Sequence, residues 1–165
     1  MRNYPNFESV NSAATALARE TEGRSVLIAE DHEDTRLMLR TILEMNHFFV
    51  MEASNGKEAV ELAELERPDI ILMDFILPLL DGLTALRLIR ASKTNCDVPV
   101  IILSGQADPA PQMAARAAGC NDYLVKPFEL DHMLQLIERR LRPRAECTGA
   151  VKFPEQTRER CLSQL

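Results

Sequence analysis

Short apolar runs alternate with longer amphipathic stretches along the chain from Ser25 onward. We predict β-strands at 25–30, 48–53, 69–74, 98–104 and 122–125. Three of these runs are almost continuously apolar, which is typical of parallel strands that are buried on both faces. The intervening stretches predict helices at about 34–46, 56–66, 82–91, 111–118 and 129–142.

The helical stretches carry the periodicity and the turn residues that such elements need. In the last stretch the apolar side chains follow the i, i+3, i+4, i+7 rule: Leu130, Met133, Leu134, Ile137 and Leu141. Asn55-Gly56 and Asp81-Gly82 break the chain before two of the helices. Five strand–helix units with right-handed crossovers predict a doubly wound α/β fold, in which helices cover both faces of a parallel sheet.

The fourth helix is the least regular of the five. Gly119 can end it, because glycine tolerates the left-handed conformation that often follows a helix. Pro109 and Pro111 crowd its beginning, so we expect it to begin late and to be short.

The predicted fold divides the chain into three parts. Residues 25–142 form the domain, residues 1–24 an amino-terminal extension, and residues 143–165 an irregular carboxyl-terminal tail. A short helix in the extension would place Phe7, Val10, Ala14 and Leu17 on one side. Such a segment either packs loosely on the domain or serves as a dimerisation or partner-binding element, and the first alternative is favoured.

Composition and charge exclude several classes of protein. A chain of 165 residues with 46% hydrophobic and 27% charged residues suits one soluble domain. Residues 25–142 contain twelve basic and nineteen acidic side chains, a formal charge of −7, so we expect no nucleic-acid binding. No apolar run suggests a membrane span or an export signal, so we expect a cytoplasmic protein. The cysteines lack metal-binding spacing and predict free thiols: Cys96, Cys120, Cys147 and Cys161.

Polar residues stand at the ends of four predicted strands. Glu30 and Asp31 follow the first, Asp74 the third, Ser104 the fourth and Lys126 the fifth. The carboxyl ends of the strands build the functional site in doubly wound sheets. Three carboxylates at close range repel one another unless a cation lies among them. Mg²⁺ is the natural candidate because it prefers oxygen ligands.

Four segments around these residues resemble the receiver domain of two-component response regulators: IAEDHEDTR, DIILMDFILPLLDG, VIILSG and DYLVKPF. The intervals also match that family, with 43 residues from Asp31 to Asp74, 30 from Asp74 to Ser104 and 22 from Ser104 to Lys126. The resemblance covers residues 25–142. It implies a flavodoxin-like, five-stranded parallel sheet in the order 2-1-3-4-5.

The resemblance also implies a role for each residue. Asp74 corresponds to the phosphoacceptor, Lys126 to the active-site lysine, and Ser104 and Tyr123 to the hydroxyl and aromatic switch residues. Family members tend to have a cis bond at the position of Lys126-Pro127. The implied Mg²⁺ ligands are Glu30, Asp31, Asp74 and the backbone carbonyl of Ile76.

These roles imply a phosphorelay switch. A histidine kinase or histidine phosphotransfer protein would donate a phosphoryl group to Asp74, and Mg²⁺ and Lys126 would neutralise its oxygens. Ser104 and Tyr123 would then repack the surface between the fourth and fifth helices, which an unknown downstream protein reads. We expect no enzymatic activity beyond self-phosphorylation and self-dephosphorylation, and homodimerisation is an open alternative.

Two other functions compete with this interpretation. A receiver-like binding module that signals without phosphorylation is disfavoured by the intact Asp74, Lys126 and acidic pair. A phosphatase of the haloacid-dehalogenase type is disfavoured because Ile76 occupies the position of its second Asp. At single positions, Tyr123 is either a switch residue or plain core. His32 is either a metal ligand or, as we favour, a residue at the rim of the site.

Overall fold

The computed structural model describes residues 23–141, in which five strands alternate with five helices. The strands are β1 Ser25–Ala29, β2 Phe49–Ala53, β3 Ile70–Asp74, β4 Val100–Ser104 and β5 Asp122–Val125. The helices are α1 Glu33–Met45, α2 Gly56–Glu66, α3 Gly82–Ala91, α4 Pro109–Ala117 and α5 Leu130–Leu141. Each predicted element is present, with bounds within two residues of the prediction. The short helix predicted around Phe7 to Leu17 and the tail 143–165 lie outside the described residues, so the three-part division stays a prediction.

All five strands are parallel and lie in the order β2-β1-β3-β4-β5, which confirms the predicted fold class. The chain leaves β1 to form β2 on one side and returns to form β3 on the other. Strand order therefore reverses at β1 and β3, and their carboxyl ends flank the crevice where such sheets bind ligands.

Two apolar cores lie on opposite faces of the sheet. Side chains of α2, α3 and α4 pack on one face, and side chains of α1 and α5 pack on the other. Strand β3 contributes side chains to both cores. Ile71 and Met73 pack in the first core, and Ile70 and Leu72 pack in the second. All four side chains are fully buried. This two-sided burial explains why the strand is a continuous apolar run.

Capping side chains fix the beginnings of α2 and α3. Asn55 accepts a hydrogen bond from the Glu58 amide at 2.9 Å, and Asp81 accepts one from the Thr84 amide at 2.9 Å. Such caps satisfy backbone donors that have no partner within the helix. In contrast, His32 before α1 makes no side-chain capping bond.

The predicted late beginning of α4 is wrong. The helix begins at Pro109, two residues before the predicted start, and has nine residues. Proline suits the first helical turn because its fixed φ is helical and its missing N–H would have had no partner there. Gly119 follows the helix with φ of 96°, as expected.

Two further expectations concern the described residues. No helix between Gly23 and Leu141 combines the length and apolar character that a membrane crossing requires. Cys96 and Cys120 are free thiols, and the other two cysteines lie outside this range.

Candidate functional site

The sheet brings the predicted residues to one edge. Glu30 and Asp31 follow β1, Asp74 ends β3, Ser104 ends β4, and Lys126 follows β5. Glu30 and Ser104 are fully buried and Asp74 is nearly so, although charged and polar side chains are seldom buried without partners. Partners are therefore expected around each of them.

Lys126 joins two of the carboxylates. Its Nζ donates a hydrogen bond of 2.6 Å to Oε2 of Glu30 and another to Oδ2 of Asp74. Burial lowers the pKa of Lys126, but the hydrogen bonds to Asp74 and Glu30 outweigh it and raise the pKa above its ordinary value. The lysine is therefore a charged ammonium group that bridges strands β1 and β3 from beyond β5. The Lys126-Pro127 bond is cis, as the resemblance implied.

The second oxygen of Asp74 contacts the loop that follows β3. Oδ1 accepts a hydrogen bond of 2.7 Å from the backbone amide of Ile76. Gly82, the first residue of helix α3, lies against the main chain of Asp74. A Cβ on Gly82 would lie 2.1 Å from the Asp74 carbonyl oxygen. Glycine is thus required at position 82 for this close approach. Ile76 is 62% exposed, so this apolar residue faces solvent beside Asp74.

The acidic pair includes a third neighbour, His32. Its Nδ1 lies 2.9 Å from Oδ1 of Asp31 and 3.3 Å from Oε1 of Glu30. The hydrogen bond to Asp31 and the charge of both carboxylates raise the pKa of His32 above its ordinary value. Among the described residues, one ligand atom from each of Glu30, Asp31 and His32 lies within 4.8 Å of the others. The exposed side chain of His32 thus contacts both acids, and its assignment to the rim of the site stays a prediction.

A hydrogen-bonded path leads from Ser104 to Tyr123. The Gln106 amide donates to Oγ of Ser104 at 3.0 Å, and the Tyr123 hydroxyl donates to the Gln106 carbonyl at 3.0 Å. The Tyr123 ring also meets the Phe75 ring edge-on, with centroids 6.4 Å apart. Tyr123 thus packs against the residue that follows Asp74. The sequence analysis did not identify Phe75, because its ring contact depends on tertiary packing, or the Gln106 main chain, because backbone contacts leave no residue-type signal.

Arg36 is a third residue that the sequence analysis missed. Its Nη1 donates to the carbonyl of Glu30 at 2.8 Å, and its side chain is 19% exposed. A basic residue in the first turn of a helix after an acidic loop is the signal that was available.

The fold and the charged residues at this edge define a doubly wound α/β domain with a candidate cation site, and comparison with known proteins gives its family. The family model described as response regulator receiver domain matches residues 26–138. The chain therefore belongs to the response regulator receiver domain family, and the haloacid-dehalogenase alternative is set aside.

Relatives of known sequence are longer than this chain. The response regulator MprA of Mycolicibacterium vanbaalenii is 34% identical over 132 residues, which cover 80% of this chain and 56% of MprA. The regulatory protein AtoC of Escherichia coli is 34% identical over 116 residues, which cover 70% of this chain and 25% of AtoC. The chain spans about half the length of the first and a quarter of the second.

A solved receiver domain shows the same fold. It belongs to the sensor histidine kinase PA1611 of Pseudomonas aeruginosa PAO1 and was crystallised with a magnesium ion coordinated in the active-site cleft. It is 35% identical, with a TM-score of 0.68, and the match covers 72% of this chain and 98% of that domain.

Proposed function

We propose that this chain accepts a phosphoryl group on Asp74 and switches a partner-binding surface in response, with Mg²⁺ as cofactor. The observation that supports this best is the Lys126 ammonium, which contacts both Glu30 and Asp74. Residues from β1, β3 and β5 thus form one charged cluster. Membership in the receiver family supports the proposed roles of Glu30, Asp74 and Lys126.

The donor set fits Mg²⁺. Glu30, Asp31 and Asp74 supply carboxylate oxygens, and we assign the Ile76 carbonyl as the fourth protein ligand. Hard oxygen donors and a small number of carboxylates are what Mg²⁺ prefers. When bound, the cation would neutralise charge on the phosphoryl oxygens. His32 is not assigned as a ligand, because imidazole suits softer metals.

In phosphoryl transfer, one bond to phosphorus forms and another breaks. A carboxylate oxygen of Asp74 attacks phosphorus, the P–N bond of a donor phosphohistidine breaks, and the imidazole leaves with the electron pair. Lys126 is already beside Asp74, so its ammonium can bind a phosphoryl oxygen with little rearrangement. Catalysis in such a site is mainly positioning and charge neutralisation.

The switch uses the path from Ser104 to Tyr123. A hydrogen bond from Ser104 to the phosphoryl group would turn its hydroxyl towards Asp74 and change its contact with the Gln106 amide. Because the Gln106 carbonyl holds the Tyr123 hydroxyl, movement of this loop releases the ring. The surface between α4 and α5 then changes.

The remaining parts of the proposal concern partners and place. The donor is a histidine kinase or a histidine phosphotransfer protein, and the reader is a downstream protein, with a second copy of the chain as the alternative. The formal charge of −7 on residues 25–142 supports a protein reader over nucleic acid. We place the protein in the cytoplasm.

Intact-mass spectrometry tests the proposal. The wild-type chain is incubated with acetyl phosphate, with and without Mg²⁺, beside Asp74→Asn and a control, Asp69→Asn, at the opposite edge of the sheet. We expect one phosphoryl adduct on wild type and Asp69→Asn only when Mg²⁺ is present, and none on Asp74→Asn. Equal labelling of Asp74→Asn would refute the assignment. A folded wild type without adduct, also with a phosphohistidine donor, would favour the phosphorylation-independent binding module.

A further inference from the structure

Helix α1, which follows the acidic loop, begins without the side-chain cap that holds the beginnings of α2 and α3. Asn55 caps α2 and Asp81 caps α3 through side-chain hydrogen bonds, whereas His32 makes no such bond at α1. The side chain of His32 is turned instead towards Asp31 and Glu30. Another group must therefore hold the main chain that presents the two acids.

Arg36 contacts that main chain directly. Its Nη1 lies 2.8 Å from the carbonyl oxygen of Glu30 and 3.5 Å from that of Asp31. The amide of Glu30 is held from the other side by the Ala53 carbonyl at 3.1 Å. The peptide groups around Glu30 are thus fixed between β2 and the first turn of α1.

A carboxylate on the neighbouring strand orients the Arg36 side chain. Nε of Arg36 lies 3.4 Å from Oε1 of Glu52, and the other oxygen of Glu52 accepts a bond of 3.0 Å from Nη1 of Arg40. Arg36 is mostly buried at 19% exposure, whereas Arg40 is 46% exposed. The planar guanidinium can serve Glu52 and the Glu30 carbonyl at once, which a lysine ammonium on a flexible stem cannot do with the same geometry.

We propose that Arg36 is a positioning residue, which holds the loop of Glu30 and Asp31 in the arrangement that binds the divalent cation. The proposal rests on the proposed function for the identity of the ligand. Groups that orient metal ligands from outside the coordination shell influence affinity strongly. The positive charge of Arg36 itself opposes the binding of a cation.

The charge of Arg36 and its contacts with the loop have opposite effects on Mg²⁺ affinity. The direction in which a substitution changes that affinity therefore tells the two apart. Removal of a nearby positive charge alone would tighten Mg²⁺ binding, whereas loss of the positioning contact would weaken it. Arg36→Lys keeps the charge and loses the two-sided contact. Arg40→Ala is the matched control, because Arg40 binds the same Glu52 carboxylate without an observed contact to the loop.

The first measurement is Mg²⁺ affinity by isothermal titration calorimetry. We expect Arg36→Ala and Arg36→Lys each to weaken binding about tenfold, and Arg40→Ala to leave it within about twofold of wild type. Tighter binding by Arg36→Ala, with wild-type affinity in Arg36→Lys, would mean that Arg36 acts only through its charge and would overturn the proposal. Unchanged affinity in both variants would overturn it as well.

The second measurement does not involve the metal. Backbone ¹⁵N relaxation of the metal-free protein reports the order parameters of residues 30–34, with those at Asn55 and Asp81 as internal references. We expect lower order parameters in the acidic loop of both Arg36 variants and wild-type values in Arg40→Ala. A loop that stays as rigid as in wild type would refute the positioning role. Failure of wild type to bind Mg²⁺ would instead count against the proposed function, and the relaxation data would still decide on Arg36.

Discussion

Carboxylates are paired differently at the carboxyl ends and at the amino ends of the strands. At the carboxyl ends, Glu30 and Asp74 share the ammonium of Lys126, and a third acid, Asp31, lies near Glu30. At the amino ends, carboxylates are matched by arginines and backbone donors. Asp122 accepts hydrogen bonds from both Arg139 and Arg140, at 2.9 and 2.5 Å.

Asp69 shows how complete the pairing is at the amino ends. It accepts hydrogen bonds from the Ser25 amide at 2.8 Å, the Ser25 hydroxyl at 3.0 Å and Arg24 at 2.9 Å. Burial raises the pKa of Asp69, but these bonds outweigh burial and hold the pKa below its ordinary value. The folded state therefore favours the charged form, and this stabilisation is lost as the pH falls through the range in which the carboxyl group is protonated.

Arg90 holds the loops at the amino ends of β4 and β5. It donates to the carbonyls of Gly119 at 2.9 Å and Val98 at 2.8 Å, and to the side-chain oxygen of Asn121 at 2.9 Å. These contacts connect α3 to the segments that enter β4 and β5. The carboxylates described at the amino ends are thus paired, whereas three carboxylates at the carboxyl ends have one lysine among them, an arrangement typical of a functional site that is maintained at some cost in stability.

The largest effect on stability is expected from Lys126→Ala. The change leaves the buried carboxylate of Glu30 and that of Asp74 without their shared cation, which should cost about 3 kcal/mol of unfolding free energy. Urea unfolding with and without Mg²⁺ measures this, and the loss should be smaller when Mg²⁺ is bound. The variant should keep Mg²⁺ binding and form the phosphorylated state poorly. A loss of Mg²⁺ binding as large as that in Asp31→Ala would contradict this division of roles.

The second largest effect on stability is expected from Arg90→Ala, at the amino ends of the strands. Arg90→Ala removes the hydrogen bonds to the carbonyls of Gly119 and Val98 and one of the two bonds to Oδ1 of Asn121, which keeps the Val100 amide. The change should cost about 2 kcal/mol in urea unfolding, because unsatisfied polar groups are expensive when partly buried. Arg139→Ala is the control. Its side chain is 60% exposed and its ion pair should be worth about 0.5 kcal/mol or less. Both variants should accept a phosphoryl group on Asp74 at the wild-type rate, and a slowed transfer in Arg90→Ala would break the separation between the two ends.

A smaller effect of opposite sign is expected from Asp31→Asn. The change relieves repulsion within the acidic cluster, so the metal-free protein should gain about 1 kcal/mol of unfolding free energy while its Mg²⁺ affinity falls. Asp34→Asn removes the same charge from the first turn of α1 and serves as the control, with unchanged Mg²⁺ affinity. Destabilisation of metal-free Asp31→Asn would show that the acidic cluster is not strained by its charges.

The smallest effect on stability is expected from Ile76→Asn, because this side chain is exposed. The predicted effect is on the lifetime of the acyl phosphate. Branched, apolar Ile76 cannot orient a water molecule, whereas an amide can, so Ile76→Asn should lose its phosphoryl group several times faster. Leu79→Asn is a matched change on the same loop, since Leu79 is also exposed and asparagine tolerates its φ of 64°. Equal decay in wild type and Ile76→Asn, followed by mass spectrometry, would show that Ile76 does not shield the phosphorus.

The sequence by itself determined the elements and the edge of the site. Continuous apolar runs such as Ile70 to Met73 are local signals of strands buried on both faces, and they placed β3 to within one residue. Residues at strand ends must meet at one edge of a parallel sheet, so Asp74, Ser104 and Lys126 could be grouped before their contacts were known.

Only the tertiary structure decided which side chains touch. The contact between Lys126 and Glu30 joins residues 96 positions apart, and the contact between Tyr123 and the Gln106 carbonyl depends on a loop conformation. Arg36 has the residue type of many exposed helical arginines, and its role follows only from its distance to the Glu30 carbonyl. Periodicity reports the face on which a side chain lies, whereas sheet order, rotamers and the path of each loop fix the partner within hydrogen-bond reach.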